Sequence, residues 1–190
     1  MKNRKIIKSI IVLLTCFIFI LPVHAATDTK LQNDSAKDLV KLNLLKGYPD
    51  GSLGLQNKIK RSEFITFVVR MLGYENTVDT SSIKVSFKDI DKKHWAYNNI
   101  KVALKYKLVS GYPDNTIAPE KNVSYAEALT VIIRALGYES SLSGNWPDNV
   151  INKANALGIS KNVELPGKQE ITRGDMSVLV HNSLTVDFAK

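Results

Sequence analysis

The chain has 190 residues and a formal net charge of +8, from 26 lysines and arginines and 18 aspartates and glutamates. Four of the basic residues lie among the first eight positions, so the remainder carries +4, too little for the clustered basic surface of a nucleic-acid-binding protein. Cys16 is the only cysteine, which excludes a disulfide framework.

Residues 1–25 have the three-part layout of a secretory signal. Lys2, Arg4, Lys5 and Lys8 precede an apolar run over residues 10–21, and "VHA" at 23–25 supplies small residues for cleavage. A lipoprotein signal ending at Cys16 is the alternative, but "FIFIL" continues the apolar run beyond that cysteine. We expect residues 1–25 to be removed on export, with no membrane insertion afterwards.

The rest of the chain contains an internal duplication. "GYPDGSLG" at 47–54 recurs as "GYPDNTIA" at 111–118, and "LGYE" at 72–75 recurs at 136–139 with the same offset of 64 residues. "LGIS" at 157–160 and "ITRGDMSVLVHNSL" at 171–184 indicate a third copy, whose shorter loop lacks the Gly-Tyr-Pro-Asp corner. We predict a first copy at 26–76, a second at 86–139 and a third at 145–187, which must pack together because each is too small to fold alone.

Each copy is predicted to form a helix, a corner loop and a second helix, which makes the fold all-α. In the second copy, apolar residues recur with helical spacing from Ala96 to Val109, and Gly111 is predicted to end that helix. The corner "GYPDNT" has the composition of a turn. The second helix is predicted to begin at Ser124 and to stop at Gly137.

Capping boxes mark the start of the second helices. Ser124 with Glu127, and Thr172 with Asp175, have the spacing at which a hydroxyl and a carboxylate satisfy exposed backbone N–H groups. The first copy has Lys60 where the hydroxyl is expected. Loss of a capping hydroxyl costs about 1 kcal/mol, so a property other than capping is favoured at Lys60, or the first copy is less stable.

These motifs together resemble the S-layer homology domains of bacterial envelope proteins. The resemblance rests on "FKDIDKKHWAYNNI" at 87–100, "GYPDNTIAP" at 111–119, and "ITRGD" at 171–175 with its variants "IKRSE" at 59–63 and "VSYAE" at 123–127. It implies three units in a pseudo-threefold arrangement with grooves between neighbours. It also implies non-covalent attachment to a secondary cell wall polymer, often pyruvylated, at the surface of a Gram-positive-type bacterium. The alternative is an adaptor that has lost polymer binding and holds another envelope protein.

Two arginines are the main candidates for polymer binding. Arg61 and Arg173 stand at the start of second helices, where free N–H groups and the helix dipole favour an anion and a guanidinium can grip a carboxylate. The alternative is an ordinary solvated charge. Arg70 and Arg134 lie near helix ends and are predicted to be structural.

The predicted pockets are incomplete in different ways. The second copy has Tyr125 where the arginine is expected, which indicates a decayed pocket, and the third copy keeps Arg173 but lacks the corner loop. We therefore expect one good pocket, in which Arg61 acts with a neighbouring unit, and a weaker one at Arg173.

The remaining candidates for polymer binding are aromatic or belong to the corners. Trp95 and Trp146 precede first helices, where an indole stacks on a sugar or, as readily, pins the connector to the core. A glycine permits close approach of a ligand but also suits a helix end. The corner candidates are Gly47, Asp50, Gly111 and Asp114.

Nothing in the sequence indicates catalysis, a metal or a cofactor. His94 and His181 are the histidines beyond the signal, and neither belongs to a Ser-His-Asp or Glu-x-x-His arrangement. "DID" at 89–91 lacks the further oxygen ligands of a calcium loop. Glu63, Glu127 and Asp175 recur at one helix position, so capping explains them better than a glycosidase carboxylate pair does. We therefore do not expect an enzyme.

Overall fold

The computed structural model describes residues 27–190, and within them the fold is all-helical, as predicted. A 3-10 turn at Glu139–Ser141 follows the fourth helix, and strand-type pairing in these residues is limited to isolated bridges. The predicted signal at 1–25 lies outside the described residues. The six α-helices are α1 (Thr29–Lys41), α2 (Arg61–Met71), α3 (Tyr97–Lys105), α4 (Tyr125–Ala135), α5 (Asp148–Ala156) and α6 (Arg173–Ser183).

The prediction for the end of the first helix in the second copy is wrong. The helix α3 stops at Lys105, and Lys107 takes a left-handed φ of 56°, which carries the chain out of the helical path. Leu108 and Val109 are buried although they lie outside the helix, so the apolar pattern that suggested a longer helix comes from an irregular buried segment. Gly111 is therefore not a helix cap.

The second helices begin as their capping boxes predict. At α4, the Ser124 N–H donates to Glu127 Oε2 over 3.0 Å, and the Ser124 hydroxyl accepts from the Glu127 N–H. The pair of Thr172 and Asp175 does the same at α6. At α2, the Lys60 N–H still donates to the Glu63 carboxylate, but no side-chain oxygen caps the helix, because an ammonium cannot accept a hydrogen bond.

Helices pack between copies rather than within them. The helix α3 packs on α2, α5 packs on α4, and α1 closes the arrangement by packing on α6. Each first helix thus lies against the second helix of the copy before it. The buried residues, among them Leu39, Ile100 and Val150 of the first helices, form a single hydrophobic cluster.

Extended residues before the second helices meet at the centre of the domain. The N–H of Ile59 donates to the carbonyl of Ile171, that of Ile171 to Val123, and that of Val123 to Ile59, over 3.0–3.2 Å. All three side chains are buried. This closed cycle supports the pseudo-threefold arrangement, which as a symmetry of the whole domain stays a prediction. None of the helices in residues 27–190 has the length and hydropathy needed to cross a membrane.

Candidate binding grooves

Arg173 holds the corner loop of the first copy. From the start of α6, its Nε donates to the carbonyl of Leu53 over 2.9 Å and its Nη2 to the carbonyl of Lys46 over 3.0 Å. The guanidinium carbon lies 4.5 Å from the centre of the Tyr48 ring, within range of a cation–π contact. The expectation that Arg173 lacks a complete loop is therefore wrong, since its loop comes from another copy.

Arg61 holds the corner loop of the second copy in the same way. Its Nε donates to the carbonyl of Ile117 and its Nη2 to the carbonyl of Ser110, each over 3.0 Å, and its guanidinium lies 5.2 Å from the Tyr112 ring centre. Both acceptors lie 64 residues beyond those of Arg173. The structure thus contains two equivalent pairs of a buried arginine and a loop.

A groove adjoins each of these pairs. Groove A has a volume of about 810 Å³, and its lining includes Gly47, Tyr48, Glu63, Arg70, Trp95 and Arg173. Groove B has a volume of about 280 Å³, and its lining includes Gly111, Tyr112, Glu127, Arg134, Trp146 and Arg61. In both grooves one copy supplies the loop and the second helix, the next copy supplies the tryptophan, and the preceding copy supplies the arginine.

The start of each second helix is not a free anion site, contrary to the sequence-based expectation. The N–H of Arg61 donates to the carbonyl of Lys121, and the N–H of Arg173 donates to the carbonyl of Asn57, both over 2.9 Å. The N–H groups that follow are likewise bonded to carbonyls of neighbouring segments. Any attraction for an anion must therefore come from side chains.

In groove A, the arginine is neutralised by a carboxylate. Arg173 Nη1 lies 3.1 Å from Glu63 Oε1, and the Tyr48 hydroxyl donates to the same oxygen over 3.1 Å. The Arg173 side chain is only 6% exposed. Its guanidinium therefore donates hydrogen bonds to other groups of the protein, and its charge is largely neutralised by Glu63.

In groove B, the carboxylate of Glu127 pairs with a lysine instead of the arginine. Lys121 Nζ lies 3.3 Å from Glu127 Oε1, which also accepts from the Tyr112 hydroxyl over 2.7 Å. Burial raises the pKa of Glu127, but the hydrogen bonds from Ser124 and Tyr112 and the charges of Lys121 and Arg61 outweigh it and hold that pKa below 4.5. Among residues 27–190, Arg61 Nη1 has no hydrogen-bond acceptor. Groove B thus retains a free guanidinium nitrogen.

Both tryptophans are exposed at the rims of the grooves. Trp95 is 61% exposed and Trp146 is 52% exposed, so each leaves part of its indole open to a ligand, whether or not the rest of the ring holds the connector. The Trp146 ring nitrogen donates to the Thr130 hydroxyl over 3.2 Å, so its orientation in groove B is held by a hydrogen bond. An exposed and oriented indole presents a flat apolar face to a ligand.

The two corner glycines line the grooves, but the loop itself requires them. A Cβ on Gly111 would lie 2.1 Å from Cε1 of Phe87 and 2.9 Å from the carbonyl oxygen of Thr116. A Cβ on Gly47 would lie 2.9 Å from the carbonyl oxygen of Ser52. Close approach within the protein therefore accounts for both glycines.

The two corner aspartates build the turn and are not among the lining residues of either groove. Asp50 accepts a hydrogen bond from the Ser52 N–H over 2.9 Å, and Asp114 accepts from the Thr116 hydroxyl over 2.7 Å. These bonds lower the pKa of both carboxyls. The geometry assigns Asp50 and Asp114 to the loop and gives no support for direct binding.

Arg70 and Arg134 are ion-paired, as expected for structural arginines, but they also line the grooves. Arg70 binds both oxygens of Glu75 over 2.7 and 2.8 Å, and Arg134 Nε donates to Glu139 over 2.8 Å. The sequence reasoning also missed Tyr48 and Tyr112 as lining residues. Their recurrence at the 64-residue offset is the signal that could have identified them.

The third equivalent position is filled by the protein's own side chains. Tyr125, which stands where the other copies have arginine, is 1% exposed and donates its hydroxyl to the carbonyl of Val163 over 2.6 Å. Asp175, at the position of Glu63 and Glu127, accepts from Thr27 and Gln32. The second copy, which lacks the arginine, and the third copy, which has the short loop, therefore meet at the same groove position. The prediction of a decayed pocket at Tyr125 fits this arrangement.

Residues 27–190 contain no group of three or more His, Cys, Asp or Glu side chains that could hold a metal ion.

The family model of the S-layer homology domain matches residues 32–65 and 86–129. These two segments are S-layer homology domains. The matched segments end before the third copy, so the third repeat and the exact repeat boundaries stay predictions.

Curated relatives share most of this chain but are much longer. The "Middle cell wall protein" of Brevibacillus brevis is 37% identical over 169 residues, which is 86% of this chain and 16% of that protein. The "Surface layer protein" of Brevibacillus choshinensis is 37% identical over 72% of this chain and 12% of its own length. The "Cellulosome-anchoring protein" of Acetivibrio thermocellus is 29% identical over 74% of this chain and 35% of its own length. This chain spans about a third or less of each.

Proposed function

We propose that this chain is a secreted, non-catalytic module that anchors at the cell surface by binding a secondary cell wall polymer, an anionic polysaccharide that carries pyruvyl groups. The S-layer homology segments and the printed names of the relatives, which include cell wall, surface layer and cellulosome-anchoring proteins, support surface anchoring. The two grooves support the choice of polymer.

The observation that carries the proposal is the paired occurrence of an exposed tryptophan and a cationic groove. Trp95 and Trp146 are both more than half exposed at equivalent places, beside grooves whose charged side chains come from separate copies. A sugar ring presents an apolar face that stacks on indole, while acidic substituents are attracted by lysine and arginine. The fold gives no reason for the two exposed indoles, since both lie outside the core.

Different parts of each groove have different roles in recognition. The indole supports a sugar ring, and the corner loop, fixed by the buried arginine and by a glutamate-bonded tyrosine, forms a rigid wall. In groove B, the unbonded Nη1 of Arg61 is available to a carboxylate such as that of a pyruvyl ketal. A preformed wall avoids the entropy that a flexible loop would lose on binding.

Co-sedimentation with purified cell walls tests the proposal. Residues 26–190, which include the single hydrophobic core, should pellet with walls and should stop doing so after the secondary polymer has been extracted. The Trp95→Ala/Trp146→Ala variant should remain in the supernatant in both cases. If binding survives extraction unchanged, the chain contacts peptidoglycan or another envelope protein, and the polymer proposal fails.

A further inference from the structure

Groove A contains three lysines that groove B lacks. Lys46, Lys58 and Lys60 all line groove A. The residues 64 positions later are neutral, namely Ser110, Asn122 and Ser124. The two grooves share their loop, glutamate, tryptophan and arginine but differ in charge at these three places and at a fourth, where groove A has Asn57 and groove B has Lys121 paired with Glu127.

One of these lysines is present at the expense of a helix cap. Lys60 is the N-cap residue of α2, where Ser124 and Thr172 give α4 and α6 a capping hydroxyl. A lysine at this position cannot accept the hydrogen bond from the first turn. A lysine at a position where it weakens the helix fits a use of its charge outside the helix.

The positive charge of the lysines is not consumed within the protein. Among residues 27–190, Lys58 and Lys60 form no ion pair, and Lys58 Nζ donates to a backbone carbonyl, that of Glu170. Lys46 Nζ lies 3.9 Å from Glu75, whose carboxylate Arg70 already binds at 2.7 Å. The two bridges at residues 58 and 60 mark extended backbone, in which alternate side chains share a face about 6.5–7 Å apart.

An unsatisfied hydroxyl lies in the same groove. Ser62 lines groove A, is 1% exposed, and its Oγ has no hydrogen-bond partner. The equivalent residues are Ala126 and Gly174, which carry no polar side chain. A buried polar group without a partner is uncommon and calls for an explanation, and a ligand in the groove supplies one.

We propose that groove A binds a polysaccharide segment that carries at least two acidic groups, and that Lys58 and Lys60 contact them, whereas groove B takes a segment with one. In groove A the guanidinium of Arg173 is already paired with Glu63, so the lysines hold the free positive charge. In groove B the free positive charge is that of Arg61, whose Nη1 is unbonded, because Lys121 is already paired with Glu127. This inference rests on the proposed polymer binding and adds the charge pattern of the ligand.

The test replaces the two lysines with the residue types found 64 positions later, at Asn122 and Ser124. Lys58→Asn/Lys60→Ser is compared with Lys84→Asn/Lys161→Ser, which makes the same change in net charge at exposed lysines outside both grooves. Polysaccharide released from the cell walls, native or with its carboxylates reduced to alcohols, is titrated into each protein at low and at moderate salt.

The Lys58→Asn/Lys60→Ser variant should bind the tighter class of sites roughly five- to tenfold more weakly at low salt, with a smaller salt dependence, and the control variant should stay within about twofold. It should also melt at a higher temperature, because the Lys60→Ser substitution restores a capping hydroxyl to α2. A lysine effect that persists after reduction identifies the acidic groups as phosphates, and one that disappears identifies carboxylates. Equal losses in the two variants overturn the inference, whereas a wild-type protein that binds no polysaccharide refutes the proposed function itself.

Discussion

Arg61 and Arg173 each bind two carbonyl oxygens of a loop that belongs to another copy. The sequence correctly predicted that both arginines stand at the start of second helices. It also showed that Tyr125 replaces the arginine in the second copy. The identity of their loops could not be read from it, because repetition along the chain does not reveal which copies touch. A groove that looked incomplete within one copy is assembled from residues of three copies.

Removal of the Arg61 side chain should destabilise the fold. Arg61→Ala leaves the carbonyls of Ser110 and Ile117 without their charged donor, so we expect the free energy of unfolding to fall by about 1.5–3 kcal/mol. Arg61→Lys should recover part of this, since a single ammonium cannot reach both carbonyls as the guanidinium does. Urea unfolding measures the change.

Arg134→Ala is the matched control for this prediction. Its guanidinium pairs with Glu139, whose side chain is 53% exposed, so its removal should cost less than about 1 kcal/mol. Equal losses for Arg61→Ala and Arg134→Ala would contradict the role of Arg61 as the anchor of the loop.

At the scale of secondary-structure elements, the start and end of α4 were predicted well, whereas the end of α3 was not. Ser124 and Gly137 are start and stop signals with a local physical cause, and both act as predicted. The end of α3 depends instead on Lys107, a residue type that rarely adopts positive φ. Local patterns therefore do not reveal this helix end.

The pair of Arg70 and Glu75 ties the end of α2 to the segment around Leu44, and it should make stability depend on pH. The hydrogen bonds from Arg70 hold the pKa of Glu75 below 4.5, although burial opposes this. Because the folded-state pKa is the lower one, the stabilisation is present at neutral pH, begins to decline as the pH approaches the ordinary pKa of a glutamate, and is lost as the pH falls through the folded-state pKa. Urea unfolding from pH 7 down to pH 3 should show the loss.

Glu75→Gln is the variant that assigns this pH dependence. It removes the titrating group but keeps an acceptor for Arg70, so the variant should be less stable at pH 7 and should lose less stability on acidification. An unchanged slope between pH 5 and pH 3 would show that other carboxylates, such as Glu127 with its lowered pKa, carry the effect.

At the scale of the whole molecule, the copies are interdependent. The first helix of the chain packs on the last, and the central cycle of Ile59, Val123 and Ile171 needs all three segments. Removal of the chain from Asn145 onward deletes α5 and α6 and exposes the buried face of α1, including Ala36 and Leu39. We therefore expect the truncated protein to show no cooperative unfolding in urea. A cooperative transition that survives truncation would show that the copies fold independently.

If the molecule has two polymer-binding grooves and a third position closed by its own side chains, it should bind two polymer segments at once. The released wall polysaccharide is cut into fragments long enough for one site. Calorimetric titration of residues 26–190 with these fragments measures the number of sites directly. We expect two sites in the wild type, one in Trp95→Ala, one in Trp146→Ala and none in the double variant. Each substitution should change stability by less than about 0.5 kcal/mol, because both side chains are exposed.

Phe188→Ala is the control for this titration, since Phe188 is 64% exposed and lines neither groove. It should retain two sites with unchanged affinity. Three sites in the wild type, or two sites remaining in the Trp95→Ala/Trp146→Ala variant, would contradict the assignment of one binding site to each groove.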